Sequence, residues 1–297
     1  MTGVLLAALS SVFWGASDFA AGIAARRINA MRTSLWAFIG ASVFLVLVLC
    51  VAPPEWSGAA LIAGAVAGVC SAIGFVTLYA SLALAPMGVA TAILAASEAV
   101  VPVVIGVLWK HDALSPIGWV GIGLAVLGAV LVGASEGGSD DSEGKTGLRA
   151  VILAIVAGVT FGLAIVALDA APRASGFLSA TVEMVVGLVL LVLMLAALAL
   201  APGLKRSAAS IGLLATDAPP RGGAGFGGLS GVLQGIANVV MMLGLWSGQL
   251  AVVGAITCLY PLTTVFLARV ILHERLRRMQ VVGITTALLG CVLLAFG

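Results

Sequence analysis

The chain has 297 residues, of which 62% are hydrophobic and only 9% are charged, and its formal net charge is +2. Because an ordinary soluble domain carries about 25% charged residues, this composition excludes a single soluble core and predicts a protein embedded in lipid. No basic run is long enough to follow a nucleic-acid backbone, and the four cysteines lie in apolar runs without any C-x-x-C spacing.

Ten apolar runs follow one another along the chain, and each predicts a transmembrane helix, since a bilayer core of about 30 Å takes roughly 20 helical residues to cross. They cover residues 3–23, 34–52, 59–84, 87–108, 116–134, 148–168, 176–200, 225–246, 249–271 and 279–296. The first lacks the positive flank of a signal peptide and is predicted to be retained as a span. Strands are excluded because runs this long lack the alternation of a barrel. We therefore predict an all-α integral membrane protein with ten transmembrane helices.

A polar, acidic linker at 135–147 separates five predicted spans from five, and the two halves resemble each other. A separation of 162 residues aligns His111 with His273, Asp112 with Glu274, Leu114 with Leu276, Gly121 with Gly283 and Gly128 with Gly290. A separation of 163 aligns the pair Gly64 and Gly68 with Gly227 and Gly231, which we expect at close helix contacts. Residues 3–134 and 148–297 are therefore predicted to be two copies of one five-helix repeat.

An odd number of spans in each repeat has a geometric consequence. The second copy must enter the membrane upside down relative to the first copy. Inverted repeats of this kind are typical of alternating-access transporters, whose substrate site lies near the midplane where the copies meet.

Two segments carry a family resemblance. Phe13-Trp14-Gly15 in the first span and Tyr260-Pro261 followed by Leu272-His273-Glu274-Arg275-Leu276 resemble motifs of the EamA family in the drug/metabolite transporter superfamily. The resemblance covers both halves and implies a ten-span fold with a central cavity that carries small metabolites or drugs. The first copy departs from it, with Lys110-His111-Asp112 where the family carries a Gly-Glu pair. We expect no effect on transport, because this position lies in a predicted loop.

Glu98 is the most informative polar residue, because it lies near the middle of the fourth span, where an ionised group is costly. A separation of 162 residues places Tyr260 at the equivalent point of the ninth span. The pair is therefore predicted to lie at the site between the repeats. A carboxylate at this depth needs a compensating cation or proton, so Glu98 could bind a cationic substrate or a driving proton. The alternative is a hydrogen bond that only holds two helices together.

Two further candidates lie in the first span. Asp18 lies on the same helix face as Trp14, which precedes it by one turn. Asp18 could line the mouth of the cavity, or it could pair with Arg26 or Arg27 at the membrane interface. Trp14 could offer its aromatic face to a substrate cation, although tryptophans near span ends are often interfacial anchors.

Three more candidates lie in the second half. Glu183 could belong to the cavity, or it could form a salt bridge with Arg173. Gln234 and Asn238 share one face of the eighth span, where they could line the cavity or bridge two helices through their amides.

Enzyme motifs occur only out of context. The G-x-S-x-G pattern at 133–137 ends an apolar helix, and the G-x-G-x-x-G pattern at 223–228 follows two prolines instead of a strand. We predict no enzyme activity, no cofactor and no metal site. The expected partners are a small-molecule substrate and the lipid bilayer, without nucleic acid, and the protein is expected to be a monomer or a homodimer.

The charge count and the family resemblance disagree about the membrane orientation. Eleven Lys and Arg residues lie on one set of alternate loops, whereas the opposite set has only Lys110 and Arg173. The positive-inside rule then places both termini outside, while the family resemblance favours both inside; we prefer the charge count. Eleven Arg against three Lys, together with abundant Ala and Gly, indicates GC-rich codons. We therefore expect a multi-pass protein of a bacterial cell membrane.

The leading functional prediction is a secondary transporter that exports or exchanges small metabolites or drugs through a central cavity. Uptake of a cationic solute is the alternative within transport. A membrane enzyme acting on lipid is disfavoured, because the loops hold few His, Asp and Glu residues. A non-transporting scaffold or receptor would not need a carboxylate in the middle of a span, so Glu98 distinguishes this class.

Overall fold

The computed structural model describes residues 1–25, 27–28, 30–82, 87–136, 148–201, 222–271 and 278–296. Within these ranges the regular structure is helical, without strands. The α-helices are α1 (Thr2–Ala25), α2 (Ala30–Val51), α3 (Gly58–Leu82), α4 (Met87–Trp109), α5 (Pro116–Glu136), α6 (Leu148–Asp169), α7 (Leu178–Leu200), α8 (Gly223–Ser247), α9 (Leu250–Thr257), α10 (Tyr260–Ile271) and α11 (Arg278–Phe296). A turn of 3-10 helix, Arg173–Ser175, precedes α7.

Several of these helices are suited to a membrane. By length and composition, six helices of the described ranges could cross a bilayer, and they belong to α1, α2, α3, α6, α7 and α8. Shorter apolar stretches occur at Ile93–Trp109, Pro116–Gly128 and Leu250–Thr264. Large apolar side chains such as Leu47, Leu108 and Leu193 are more than half exposed, as lipid-facing residues would be. The prediction of an all-helical integral membrane protein is confirmed. Most of the predicted linker, 137–147, lies outside the described residues.

The predicted ninth span, 249–271, is not one continuous helix. α9 ends at Thr257, Cys258 and Leu259 form a turn, and α10 begins at Tyr260. The cause is Pro261, which has no N–H to donate to the carbonyl of Thr257 and whose ring clashes with that carbonyl in an α-helix. Pro102, in contrast, lies inside α4 without ending it.

The helices of the two halves pack mainly against each other, in a pattern that repeats. α1 packs against α8, and α6 packs against α3. α2 also packs against α8, and α7 packs against α3. α4 packs against α6, while α9 and α10 pack against α1, and α5 packs against α11. Exchanging the first five helices for the second five, with α9 and α10 taken together, leaves this set of neighbours unchanged.

The paired glycines lie at the closest helix contacts, as predicted. A Cβ atom added to Gly68 would lie 2.7 Å from the carbonyl oxygen of Glu183 and 2.8 Å from Cβ of Val186. A Cβ atom on Gly231 would overlap the backbone of Ala37. Gly64 and Gly227 lie equally close to α7 and α2, respectively. These glycines therefore allow α3 to approach α7, and α8 to approach α2, to within backbone contact.

Buried hydroxyls strengthen two of the helix pairs. Ser10 donates to the carbonyl of Ala237 and Ser17 to the carbonyl of Ser230, each at 2.9 Å, which joins α1 to α8. Ser81 donates to the carbonyl of Ala150 at 2.9 Å, which joins α3 to α6. Such bonds satisfy polar groups where no water is available.

Candidate functional site

A cavity lies among the helices of both halves, with wall residues from α1, α3, α4, α6, α7, α8, α9 and α10. All seven residues singled out from the sequence lie on its wall: Trp14, Asp18, Glu98, Glu183, Gln234, Asn238 and Tyr260. The structure therefore brings these candidates together in one place. The other wall residues are Ser71, Phe75, Leu78, Phe161, Ala164, Ile165, Leu168, Met241 and Thr257.

Glu98 and Tyr260 are in direct contact. The Tyr260 hydroxyl donates a hydrogen bond of 3.2 Å to the Glu98 carboxylate, and Glu98 is only 8% exposed. α4 carries the carboxylate, and Tyr260 is the first residue of α10. The two residues that the repeat separation pairs in the sequence thus contact each other between the halves.

Asp18 lies on the same cavity wall, with an exposed side chain. Its helix, α1, lies directly against the backbone of Tyr260, since a Cβ atom on Gly15 would overlap the Tyr260 carbonyl oxygen. Of the two arginines considered as partners, Arg26 lies outside the described residues, and the Arg27 guanidinium lies 4.8 Å from the centre of the Phe226 ring. Among the described residues no ion pair joins Asp18 to Arg27.

Glu183 forms a second acidic position on the wall and is 5% exposed. It accepts hydrogen bonds from the Ser71 hydroxyl at 2.7 Å and from the Asn238 amide nitrogen at 3.3 Å. These donors come from α3 and α8, so Glu183 links three helices. The salt bridge to Arg173 considered from the sequence is wrong, since the described residues hold no such pair.

The amides of α8 face the cavity and are almost fully buried, Gln234 at 4% and Asn238 at 1% exposure. The amide nitrogen of Asn238 is used by Glu183, but its oxygen has no hydrogen-bond partner among the described residues. The hydroxyl of Thr257, also on the wall and 3% exposed, is likewise unpartnered within the described ranges. Two buried polar groups of the wall thus remain available to a bound molecule.

The charges of the wall are all of one sign. Asp18, Glu98 and Glu183 line the cavity, and the described wall contains no Lys, Arg or His. Lys110 pairs instead with Asp169, where α4 and α6 end. Among the described residues there is no group of three or more His, Cys, Asp or Glu side chains that could hold a metal ion. The arrangement favours a cation or protons as the species that compensate the carboxylates.

Most wall residues form pairs, with one member in each half. For each pair of corresponding helices, the two members are separated by the same number of residues along the chain. Pairs with a constant separation are Trp14/Phe161 and Asp18/Ile165 at 147, Ser71/Gln234, Phe75/Asn238 and Leu78/Met241 at 163, and Glu98/Tyr260 at 162. Four wall residues absent from the sequence prediction, Phe161, Ile165, Ser71 and Phe75, are therefore the counterparts of predicted ones. Aligning the halves helix by helix would have identified them.

Gly15 and Gly162 fix the alignment of α1 with α6, since they also are 147 residues apart. A Cβ atom on Gly162 would lie 2.7 Å from the carbonyl oxygen of Glu98, and one on Gly15 would overlap the carbonyl oxygen of Tyr260. Each glycine thus places its helix directly behind one member of the Glu98–Tyr260 pair.

Comparisons with known proteins identify the fold and the family of the chain. A comparison with curated proteins gives no match. One protein of solved crystal structure aligns with a TM-score of 0.75 over 99% of this chain and 96% of that one, at 13% sequence identity, so the two share a fold. The model of the EamA-like transporter family matches residues 1–134 and 148–296. The chain therefore belongs to the EamA-like transporter family and is a membrane transporter.

Proposed function

We propose that the protein is a secondary transporter that moves a small solute by alternating access of its central cavity. The transporter has ten spans, with α9 and α10 together forming the ninth. Residues 3–134 and 148–297 form two inverted repeats that rock against each other. The observation that carries the proposal is the cavity itself, which is walled by both halves and whose described wall residues include three carboxylates and no cationic side chain.

The packing pattern supports the two-repeat arrangement. Each helix of one half has its main neighbours in the other half, and the neighbours correspond when the halves are exchanged. Five spans per half make the repeats inverted. A site at the junction of inverted repeats is exposed to one side or the other as the repeats tilt.

The break between α9 and α10 supports a binding role for this region. Transporter sites commonly use discontinuous helices, because the unwound backbone frees polar groups for the solute. Here the break lies between two wall residues, Thr257 and Tyr260. Pro261 has no N–H to donate to the carbonyl of Thr257 at this break.

The leading proposal is that the protein exports or exchanges a metabolite or drug. The alternative is uptake of a cationic solute, which the acidic wall would suit. Glu98 binds the coupling ion or the cationic part of the solute, and Tyr260, Gln234, Asn238, Trp14, Asp18 and Glu183 contribute the rest of the site. The protein works in the plasma membrane of a bacterium, as a monomer or a homodimer.

Flux measurements test the proposal. A thermal-shift screen of the purified protein against amino acids, nucleosides, amines and toxic cations identifies a ligand, because a molecule that binds only the folded state raises the melting temperature. Flux of that ligand into liposomes is then compared between the wild type and Glu98→Gln from about pH 5.5 to 8, the range in which a buried carboxyl group can titrate. Glu98→Gln keeps the size of the side chain but cannot titrate, so proton-driven flux should be lost or become independent of pH. Wild-type flux and pH profile in the variant would identify Glu98 as a packing residue.

A further inference from the structure

The cavity has two separate acidic positions. Glu98 on α4 is hydrogen-bonded to Tyr260, and α1, which carries Asp18, contacts the Tyr260 backbone through Gly15. Glu183 on α7 is bonded to Ser71 and Asn238 instead. Both positions belong to one cavity wall, so a single molecule inside the cavity faces both.

Hydrogen bonds alone do not neutralise these positions. The donors to Glu98 and Glu183 are a phenol, a hydroxyl and an amide, all of them uncharged. An ionised carboxylate removed from water without a counter-charge is strongly disfavoured. Because the described wall offers no basic side chain, the counter-charges must come from what enters the cavity.

The wall also carries two buried oxygens without a hydrogen-bond partner among the described residues. The Asn238 amide oxygen belongs to the same amide that donates to Glu183. The Thr257 hydroxyl ends α9, just before Tyr260 begins α10 beside Glu98. An ammonium group has three donors and no acceptor, so it can bond a carboxylate and a neighbouring oxygen at the same time. The wall holds this combination twice.

The wall also offers aromatic surface, supplied by Trp14, Phe75, Phe161 and Tyr260. The rings of Phe75 and Phe161 contact each other edge to face, with centroids 5.1 Å apart. Aromatic faces attract cations and accept apolar groups. A solute that fits this wall therefore has an apolar body with cationic groups attached to it.

We propose that the cargo is a small organic dication of the diamine class, with one ammonium bound by Glu98 and Asp18 and the other by Glu183, and with its apolar spacer along the aromatic wall. This assignment rests on the proposed transport function and gives it a substrate class. The Thr257 hydroxyl and the Asn238 amide oxygen accept the remaining ammonium protons. A solute with a single positive charge fills only one of the two positions.

Equilibrium binding to the purified full-length protein in detergent tests the proposal. Straight-chain diamines from putrescine upward are each compared with the monoamine of the same carbon number. The best diamine should bind at least about tenfold more tightly than its monoamine, since the loss of one charge-assisted contact reduces affinity by about that factor or more. A ratio near one throughout the series overturns the proposal, and this result needs no variant.

Two variants test which carboxylate binds each end of the diamine. Glu98→Gln and Glu183→Gln should each lower diamine affinity at least about tenfold, whereas at most one of them should affect the monoamine. Glu55→Gln, an exposed carboxylate in the α2–α3 loop, is the matched control and should change nothing. Melting of each variant without ligand verifies that it is folded. Equal losses for diamine and monoamine in both variants contradict the two-ended assignment.

Failure of this inference is distinguishable from failure of the transport function. If diamines do not bind but another solute is carried in a Glu98-dependent manner, the dication is wrong and the transporter stands. If no solute of any class is carried and Glu98→Gln behaves as the wild type, both are wrong.

Discussion

The Tyr260 hydroxyl and the Glu98 carboxylate are joined by a hydrogen bond of 3.2 Å, although 162 residues separate them in the chain. The bond connects α4 of the first half to α10 of the second, at the wall of the cavity. It is therefore a direct contact between the two halves at the surface of the cavity.

Tyr260→Phe should reduce transport only through Glu98. The variant removes the donor and leaves the carboxylate, so flux should fall less than in Glu98→Gln. Because residues in direct contact are energetically coupled, adding Tyr260→Phe to Glu98→Gln should cause little further loss. Liposome flux of the four proteins measures this relation, and independent, multiplicative losses would show that Tyr260 acts elsewhere.

Replacing the packing glycines should destabilise the fold. Gly68→Leu and Gly231→Leu force side chains into the backbones of α7 and α2, and overpacking of this kind costs about 1–3 kcal/mol. Gly225→Leu is the control, because it lies in the same helix as Gly231 and has open space around it. Thermal melting in detergent should show lower midpoints for the first two variants only. Unchanged midpoints in both would mean that these helices pack through other residues.

Pro261→Ala should restore the backbone N–H that an unbroken ninth span needs. The carbonyl of Thr257 can then accept a helical hydrogen bond, so stability should stay equal or rise while flux falls. A proline within a helix disfavours it by about 3 kcal/mol relative to alanine, which sets the upper limit of the gain. Flux and melting are measured together. A stable Pro261→Ala variant with full flux would show that the break is not needed for transport.

The α4–α5 loop has a structural role that the sequence did not indicate. Asp112 accepts a hydrogen bond of 2.9 Å from the backbone N–H of Ala251, in the first turn of α9. Gln249, at the start of that helix, forms no side-chain cap, so Asp112 supplies it from a distant loop. Asp112→Ala should lower stability by about 0.5–2 kcal/mol, as the loss of a helix cap does, without changing ligand affinity. Reduced affinity at unchanged stability would contradict this role.

The charge count predicts that the C-terminus lies outside the cytoplasm. A C-terminal fusion to alkaline phosphatase should therefore be active, and the same fusion to a fluorescent protein that folds only in the cytoplasm should be dark. Fluorescence without phosphatase activity would reverse the orientation and agree with the family's usual arrangement.

The sequence identified site residues best inside the apolar spans, where polar residues are rare. Glu98, Asp18 and Glu183 could be selected because carboxylates inside apolar runs are costly, and the repeat separation added Tyr260. Phe75 and Phe161 gave no such signal, because an aromatic residue in a span is ordinary until its counterpart is known to line a site. The Asp112 cap depends on tertiary contacts between distant segments, and no local pattern encodes it.

The helix break has no equivalent in the first half. At the separation of 162 residues Pro261 corresponds to Ala99, and Pro102 corresponds to Thr264, so the two copies bend at different points. Because the two copies differ, a state in which they have exchanged conformations does not have the same free energy as the original state. The empty protein should therefore rest with its cavity open mainly to one side of the membrane. This preference affects how fast solute is carried from each side, whereas the gradients alone decide the equilibrium.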